Sequence, residues 1–366
     1  MNLFREHFFR VQVMLTSTLL MLFFLMPVPV AFGMGNHAVG FIYHRFGEDT
    51  YPSTNIRVSQ FQDQIDYLAD NNFTVLSLPE VIQALQDNAP LPDKVVTITV
   101  DDAYRSVYDV AYPLLREKGW PFTVFVATDG VDKGMRAYMT WDQMREMQKH
   151  DVTFANHSAS HDHLAFTNEG EDVASWRKRV TMDIQTAQQR LRDEFGLAPM
   201  LFAYPYGEYN VELMELVAEL GYVGLGQQSG AMGILSDTRS LPRFPIAEQY
   251  ANLEQFGIKA SSLPLPVRKQ VPLNQVTRDR KPQLTVTLET GTANLDRLAC
   301  FFEGDSIPVH WVEKKKVFAI QAISDLPAGR SRYNCTAPDT NSNRYFWFSH
   351  PWLVPVPGQV DSGERY

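Results

Sequence analysis

From His37 to about Ala260 the chain alternates short β-branched runs with longer amphipathic segments, which restricts it to a mainly parallel sheet flanked by helices. The candidate strands are residues 39–43, 73–76, 95–100, 122–127, 152–155, 200–203 and 222–225. Between them, residues 59–70 repeat Phe61, Ile65, Leu68 and Ala69 at helical spacing, and residues 173–195 form a long segment with a polar face. About seven such units predict an irregular (β/α) barrel over residues 36–262.

The pattern changes after Leu263. LPLPVRKQVPLNQ is proline-rich and has no helical period, so residues 263–280 read as a linker. Alternating runs follow at 283–288, 298–302, 310–312, 317–322, 332–335 and 345–349, which predicts a small β-sandwich over residues 281–366. Cys300, Trp311, and Tyr333 two residues before Cys335 resemble the inter-sheet bridge, packed Trp and tyrosine corner of immunoglobulin domains. The cysteines stand closer together than in antibody domains, so the expectation is Ig-like only in a loose sense.

The N-terminus carries Arg5 and Arg10, an apolar run over 11–32, and small residues at Ala31, Gly33 and Gly35. Residues 1–35 thus read as a secretory signal peptide, with an uncleaved membrane anchor as the alternative, because the run is long although Pro27 and Pro29 weaken a spanning helix. No nearby Cys offers a lipid attachment point. A periplasmic or secreted location is oxidising, so Cys300 and Cys335 are expected to be bridged. The net charge of -9, with no basic run longer than residues 314–316, excludes a nucleic-acid partner and favours a neutral or weakly cationic substrate.

Two clusters carry the chemistry. Asp101 and Asp102 follow the strand at 95–100, at the end where barrel enzymes keep their catalytic groups; an Asp pair also serves as a helix cap or turn. His157 and His161 follow the strand at 152–155 and reach the same mouth. Four-residue spacing on a helical turn would put both imidazoles on one side, the alternative being a solvated His-rich loop that includes His163. Together the clusters offer two imidazoles and a carboxylate for a divalent metal, with a second carboxylate left to act as base. Three protein ligands leave an open position where the pKa of water falls from about 15.7 to roughly 7.

TVDDAY, HSASH and FAYPYG (residues 202–207) resemble the first three motifs of the polysaccharide deacetylases of carbohydrate esterase family 4, the NodB-homology group, and the resemblance covers about residues 40–260. It implies an irregular (β/α) barrel that removes N-acetyl groups from chitin-like polymers, peptidoglycan or exopolysaccharide. It also makes Asp102, His157 and His161 the metal ligands, most often for zinc, and Asp101 the general base. The Tyr206 backbone amide becomes the oxyanion donor, worth about 3 kcal/mol, in a loop fixed by Pro205 and Gly207. The only histidines after Tyr206 are His310 and His350, both in the β-rich part. In the circularly permuted poly-β-1,6-N-acetylglucosamine deacetylases the acid His sits early, which GFIYHRFGED resembles, and this makes His44 the general acid; a His at a strand end also has a purely structural reading.

Two positions depart from the family. Ala103 replaces the Gly that usually follows the Asp pair, and Ala203 stands where many relatives carry an Arg that holds the base. Arg243, in LPRFPI near another strand end, is the candidate substitute, with a surface Arg as the alternative. Trp141, in YMTWDQM, offers either a stacking face for a sugar or core packing with Met144 and Met147. His163 reads as a loop residue or a neighbour of the metal ligands. The expected activity is metal-dependent N-deacetylation of N-acetylglucosamine-containing polysaccharide with release of acetate. The rival from another class is a catalytically silent glycan-binding protein of the cell envelope, against which the intact Asp101, Asp102, His157 and His161 argue. A role for the β-domain in adhesion or assembly is the third reading.

Overall fold

The computed structural model describes residues 34–356 and 358–361. All seven runs expected as strands join one curled sheet of nine strands. In chain order these are β1 (His37–Tyr43), β2 (Thr74–Val75), β3 (Val95–Asp101), β4 (Phe122–Val126), β5 (Val152–Asn156), β6 (Leu201–Ala203), β7 (Val223–Leu225), β8 (Ala231–Gly233) and β9 (Phe244–Pro245). The main path runs β7-β6-β5-β4-β3-β1-β8, with β2 paired to β3 and β9 to β1. Only the β8–β1 pair is antiparallel. Strands β8 and β9 escaped the sequence reading because they are too short to show a period.

Burial explains the arrangement. All seven residues of β3, VVTITVD, are buried, as a central parallel strand covered on both faces requires. Helix α1 (Val58–Asp70) turns Phe61, Gln64, Ile65 and Leu68 inward. Helix α2 (Val173–Phe195) buries Trp176, Val180, Ile184, Ala187 and Leu191 along one stripe. It starts where the Asp172 side chain accepts the Ser175 N–H and stops at Gly196, whose φ of 76° needs no Cβ. Because the strands run parallel, the residues that follow β1, β3, β5 and β6 emerge together at one rim.

Beyond Ala260 the elements are β10 (Leu263–Pro264), β11 (Val267–Val271), β12 (Gln283–Leu288), β13 (Ala299–Phe302), β14 (Asp305–Ile307), β15 (His310–Glu313), β16 (Val317–Gln321), β17 (Gly329–Pro338) and β18 (Tyr345–Val354). They form a five-stranded sheet, β10-β18-β17-β13-β14, and a four-stranded sheet, β11-β12-β16-β15. Leu284, Val286, Phe318 and Ile320 of one sheet share a buried cluster with Cys300, Phe302, Tyr333 and Trp352 of the other.

Three expectations change here. Residues 263–280 do not form a plain linker: β10 pairs with β18 and β11 with β12. Strand β11 is an edge, where flanking prolines and exposed Arg268 and Lys269 are tolerated. Cys300 and Cys335 are bridged, but they face each other across adjacent strands of one sheet, so the bond is not the inter-sheet bridge of the immunoglobulin pattern. Trp311 lies on the edge strand β15, and it is Trp352 whose ring packs 5.5 Å from Tyr333. Tyr333 does tie a corner: its hydroxyl donates to the Pro282 carbonyl (2.9 Å) and accepts the Ala322 N–H (3.0 Å).

The two sheets pack directly on the α/β part. Trp347 meets Phe244 edge-on at 5.2 Å, and Arg344 reaches Asp93 (2.7 Å) and His37 (2.8 Å). Val360–Asp361 returns to pair with Phe166–Thr167. Among the described residues no helix is long and apolar enough to cross a membrane. The apolar run read as signal peptide or anchor lies outside the described residues.

Candidate active site

Asp102, His157 and His161 converge, each offering one ligand atom, with all three atoms within 4.8 Å of one another. Asp102 Oδ1 lies 3.3 Å from His157 Nε2 and 3.0 Å from His161 Nε2. His157 Nδ1 donates to the Ala203 carbonyl at 2.7 Å, which leaves its Nε2 a bare lone pair. Asp102 Oδ1 is buried between the two imidazoles. Three ligand atoms converging on one point suit a cation. Two imidazoles and a carboxylate fit a divalent one.

The histidines do not meet on a helical turn. Residues 157–163 form a loop in which Ser158 and His161 take positive φ (65° and 59°). Asn156 Oδ1 accepts the Ser158 N–H and Ser158 Oγ accepts the His161 N–H, both at 2.8 Å. Asp102, Ala103 and Tyr206 are also left-handed (75°, 58° and 60°), so backbone strain is present at the rim that carries the site. Ala103 therefore occupies a conformation that Gly adopts more cheaply.

Asp101 sits beside the triad, with Oδ2 3.9 Å from His157 Nε2. Arg243 grips it with a two-pronged contact of 2.7 and 3.0 Å, both side chains being 0% exposed. The same guanidinium donates to Thr99 Oγ1 (3.0 Å) and the Gly226 carbonyl (3.0 Å), and it lies over the Phe125 ring. Burial would push the Asp101 carboxyl up, but Arg243, with His157 and His44, holds it below the usual carboxylate range. Arg243 is buried, so the surface alternative is excluded.

Residues 88–225 match the family model described as polysaccharide deacetylase. Over these residues the chain resembles the polysaccharide deacetylases. It is similar to the poly-beta-1,6-N-acetyl-D-glucosamine N-deacetylase of Escherichia coli K12, 26% identical over 236 residues that cover 56% of this chain and 35% of that protein. It is also similar to the enzyme of that name from Staphylococcus aureus MRSA252, 24% identical over 58% of this chain and 75% of the other. The chain thus spans about a third of the length of the Escherichia coli relative (35%). Among solved structures it resembles the Streptococcus pyogenes deacetylase PplD in complex with acetate, with a TM-score of 0.54, 25% identity, and coverage of 60% of this chain and 98% of that one.

The triad opens into a cleft of about 590 Å³ that His44, Tyr206 and Gly207 also line. Burial pushes the His44 imidazole down, against the pull of Asp102 and Asp101. The Tyr206 ring stands edge-on to His161 at 4.5 Å and stacks on His163 at 4.3 Å, while His163 Nδ1 meets Glu208 Oε2 at 2.6 Å. Pro205 is buried beneath the Tyr206 turn, and at Gly207 (φ 70°) a Cβ would collide with the Gln227 side chain at 2.7 Å. Trp141 is not brought to the cleft: its Nε1 bonds Asp132 (2.8 Å), and Arg190 and Phe195 pack on its ring.

Tyr104 and Tyr138, stacked at 5.3 Å, are among the aromatic residues that line the cleft, with the Arg45 guanidinium over Tyr104. Tyr104 lies inside TVDDAY and could have been weighed from sequence. Gln275, Arg330, Arg332 and Trp352, from beyond residue 263, complete the wall, and no local pattern announced them.

Proposed function

We propose that this chain is a metal-dependent N-deacetylase that releases acetate from N-acetylglucosamine-containing polysaccharide. One observation carries the reading: an ionised carboxylate, Asp101, is held by Arg243 beside a separate Asp–His–His cation site. A glycan-binding module has no use for a base in that position. The similarity to the poly-beta-1,6-N-acetyl-D-glucosamine N-deacetylases of Escherichia coli and Staphylococcus aureus supports an N-acetylglucosamine polymer as substrate.

Asp102, His157 and His161 would hold the cation, zinc by the preference of this donor set. When bound, it supplies Lewis-acid polarisation of the acetamide carbonyl and acidifies water. Asp101 accepts the proton of the attacking water, and Arg243 keeps that carboxylate ionised and aimed. The Tyr206 backbone N–H donates to the carbonyl oxygen as negative charge grows there, in a turn shaped by Pro205 and Gly207. His44, on the cleft wall, would hand a proton to the departing nitrogen. Trp141, turned away from the cleft, has no sugar-stacking role in this reading.

This reading goes with a (β/α) barrel over 36–262, an accessory β-sandwich, Ig-like in its Tyr333 corner, that takes in β10 and β11 as well as residues 281–366, and a periplasmic or secreted location. The test is acetate release from poly-β-1,6-N-acetylglucosamine, chitin oligomers and peptidoglycan, with Asp101→Asn as control. Release from at least one polymer, lost in Asp101→Asn, is expected. Bound metal with no acetate from any of them would leave the glycan-binding alternative.

A further inference from the structure

Strand β17 sends Arg330 and Arg332 to the cleft. Two residues apart on a strand, they share the face turned to the α/β part. Arg330 donates to the Tyr206 carbonyl, and its guanidinium lies 5.9 Å from the centroid of the Tyr206 ring, which itself abuts His161. Arg332 is half-buried and donates to the Ser229 hydroxyl at 3.2 Å. Among the described residues no carboxylate lies within ion-pair distance of it, and the nearest to Arg330 is Glu208 at 3.9 Å.

The charges around Arg332 make this unusual. Its charged neighbours are Arg330 and Lys259. Burial, with Arg332 adding to it, pushes the Lys259 amine down to about 8. Asp102 is the one carboxylate-bearing residue lining the cleft, and it belongs to the cation site. Gln275 Nε2, on another cleft-lining residue, is buried without a hydrogen-bond partner. A partly desolvated guanidinium without a carboxylate is costly unless a ligand brings the negative charge.

We propose that Arg330 and Arg332 form a subsite for a carboxylate carried by the glycan, next to the sugar that is deacetylated. This deepens the deacetylase reading and rests on it: the favoured polymer bears a carboxylate on a residue neighbouring the N-acetylglucosamine. A uronic acid and a lactyl ether present the same planar anion, and Arg pairs with it two-pronged where a neutral hydroxyl gives a single bond. The overall charge of -9 does not oppose this, since the cleft wall carries its own sign.

The test is calorimetric binding to the metal-loaded full chain carrying Asp101→Asn, which prevents turnover. The probes are a tetrasaccharide alternating N-acetylglucosamine with glucuronate, a lactyl-bearing glycan tetramer, the methyl ester of each, and a neutral β-1,6-N-acetylglucosamine tetramer. At least one acid should bind tenfold or more tightly than its own ester, and the acid that does so identifies the source. Arg332→Gln should bring that ratio towards one and leave the neutral tetramer unaffected, while Arg332→Lys keeps part of the preference. Equal binding of both acids and their esters overturns the subsite without needing any variant, as does a preference that survives Arg332→Gln. Acetate release by the unmodified enzyme, followed on the same acids and the neutral tetramer, separates the two readings. Turnover without acid preference removes the subsite alone, and acid preference without acetate from any substrate removes the deacetylase reading alone.

Discussion

Arg243→Met is the perturbation whose size follows most directly from the geometry. Arg243 and Asp101 are both 0% exposed, and the contact is two-pronged at 2.7 and 3.0 Å. Removing one partner of such a pair leaves a buried charge uncompensated and costs about 3 to 5 kcal/mol. In a chain of this size that lowers the melting temperature by roughly 5 °C. Adding Asp101→Asn removes the stranded charge, so the double variant should regain about half of the lost stability, a coupling read from a double-mutant cycle. Arg243→Lys should fall between, because an ammonium keeps the charge and loses the fork. Turnover should drop about a hundredfold in Arg243→Met with KM nearly unchanged, since Arg243 does not line the cleft, and with full metal content. Thermal unfolding, steady-state acetate release and elemental analysis read these separately. A single variant that melts and turns over like the unmodified protein would refute the reasoning, as would a double variant less stable than the single one.

Replacing Cys300 and Cys335 by Ser opens a bond across 35 residues and should cost about 4 kcal/mol by loop entropy, measured by denaturant unfolding with metal content unchanged. His37 and His350 are held at about 4 and about 3, burial being the main cause in both. Below pH 6.5 the unfolded chain binds these protons first, so stability should be full above pH 6.5 and fall as pH drops towards 4. His37→Gln should reduce that acid sensitivity in pH-dependent melting curves, and an unchanged pH profile would count against the assignment. Ala103→Gly should change stability by less than about 1 kcal/mol, because relief of the left-handed strain is offset by the lost methyl and by the flexibility of Gly. A shift of several kcal/mol in equilibrium unfolding would mean that strain at the rim is misjudged.

Much of the site was legible because it is local. The strand VVTITVD announces its own burial and delivers Asp101 and Asp102 at its end, and NHSASH follows a second such strand. The turn that brings His157 and His161 together was misread as helical, since Asn156 and Ser158 shape it through side-chain to backbone bonds that no periodicity records. Arg243 could be suspected only from a gap at Ala203, because its contact with Asp101 spans 142 residues. Trp141 failed for the opposite reason: its Asp132 and Arg190 partners lie on other elements and turn it away. The part beyond residue 263 looked separate because alternation in a strand says which face is buried and nothing about the neighbour. Only the packing reveals Arg330 and Arg332 as a wall of the cleft.

The central claim is that Asp102, His157 and His161 bind a cation while Asp101 stands beside it unbound. The most direct measurement is metal stoichiometry, by elemental analysis after equilibration with zinc, on the unmodified protein, Asp101→Asn, Asp102→Asn and His157→Ala. The account predicts one tightly held ion per chain in the first two, with acetate release abolished in Asp101→Asn, and loss of the ion in the last two. Loss of the ion in Asp101→Asn, or its retention in His157→Ala, would contradict the account.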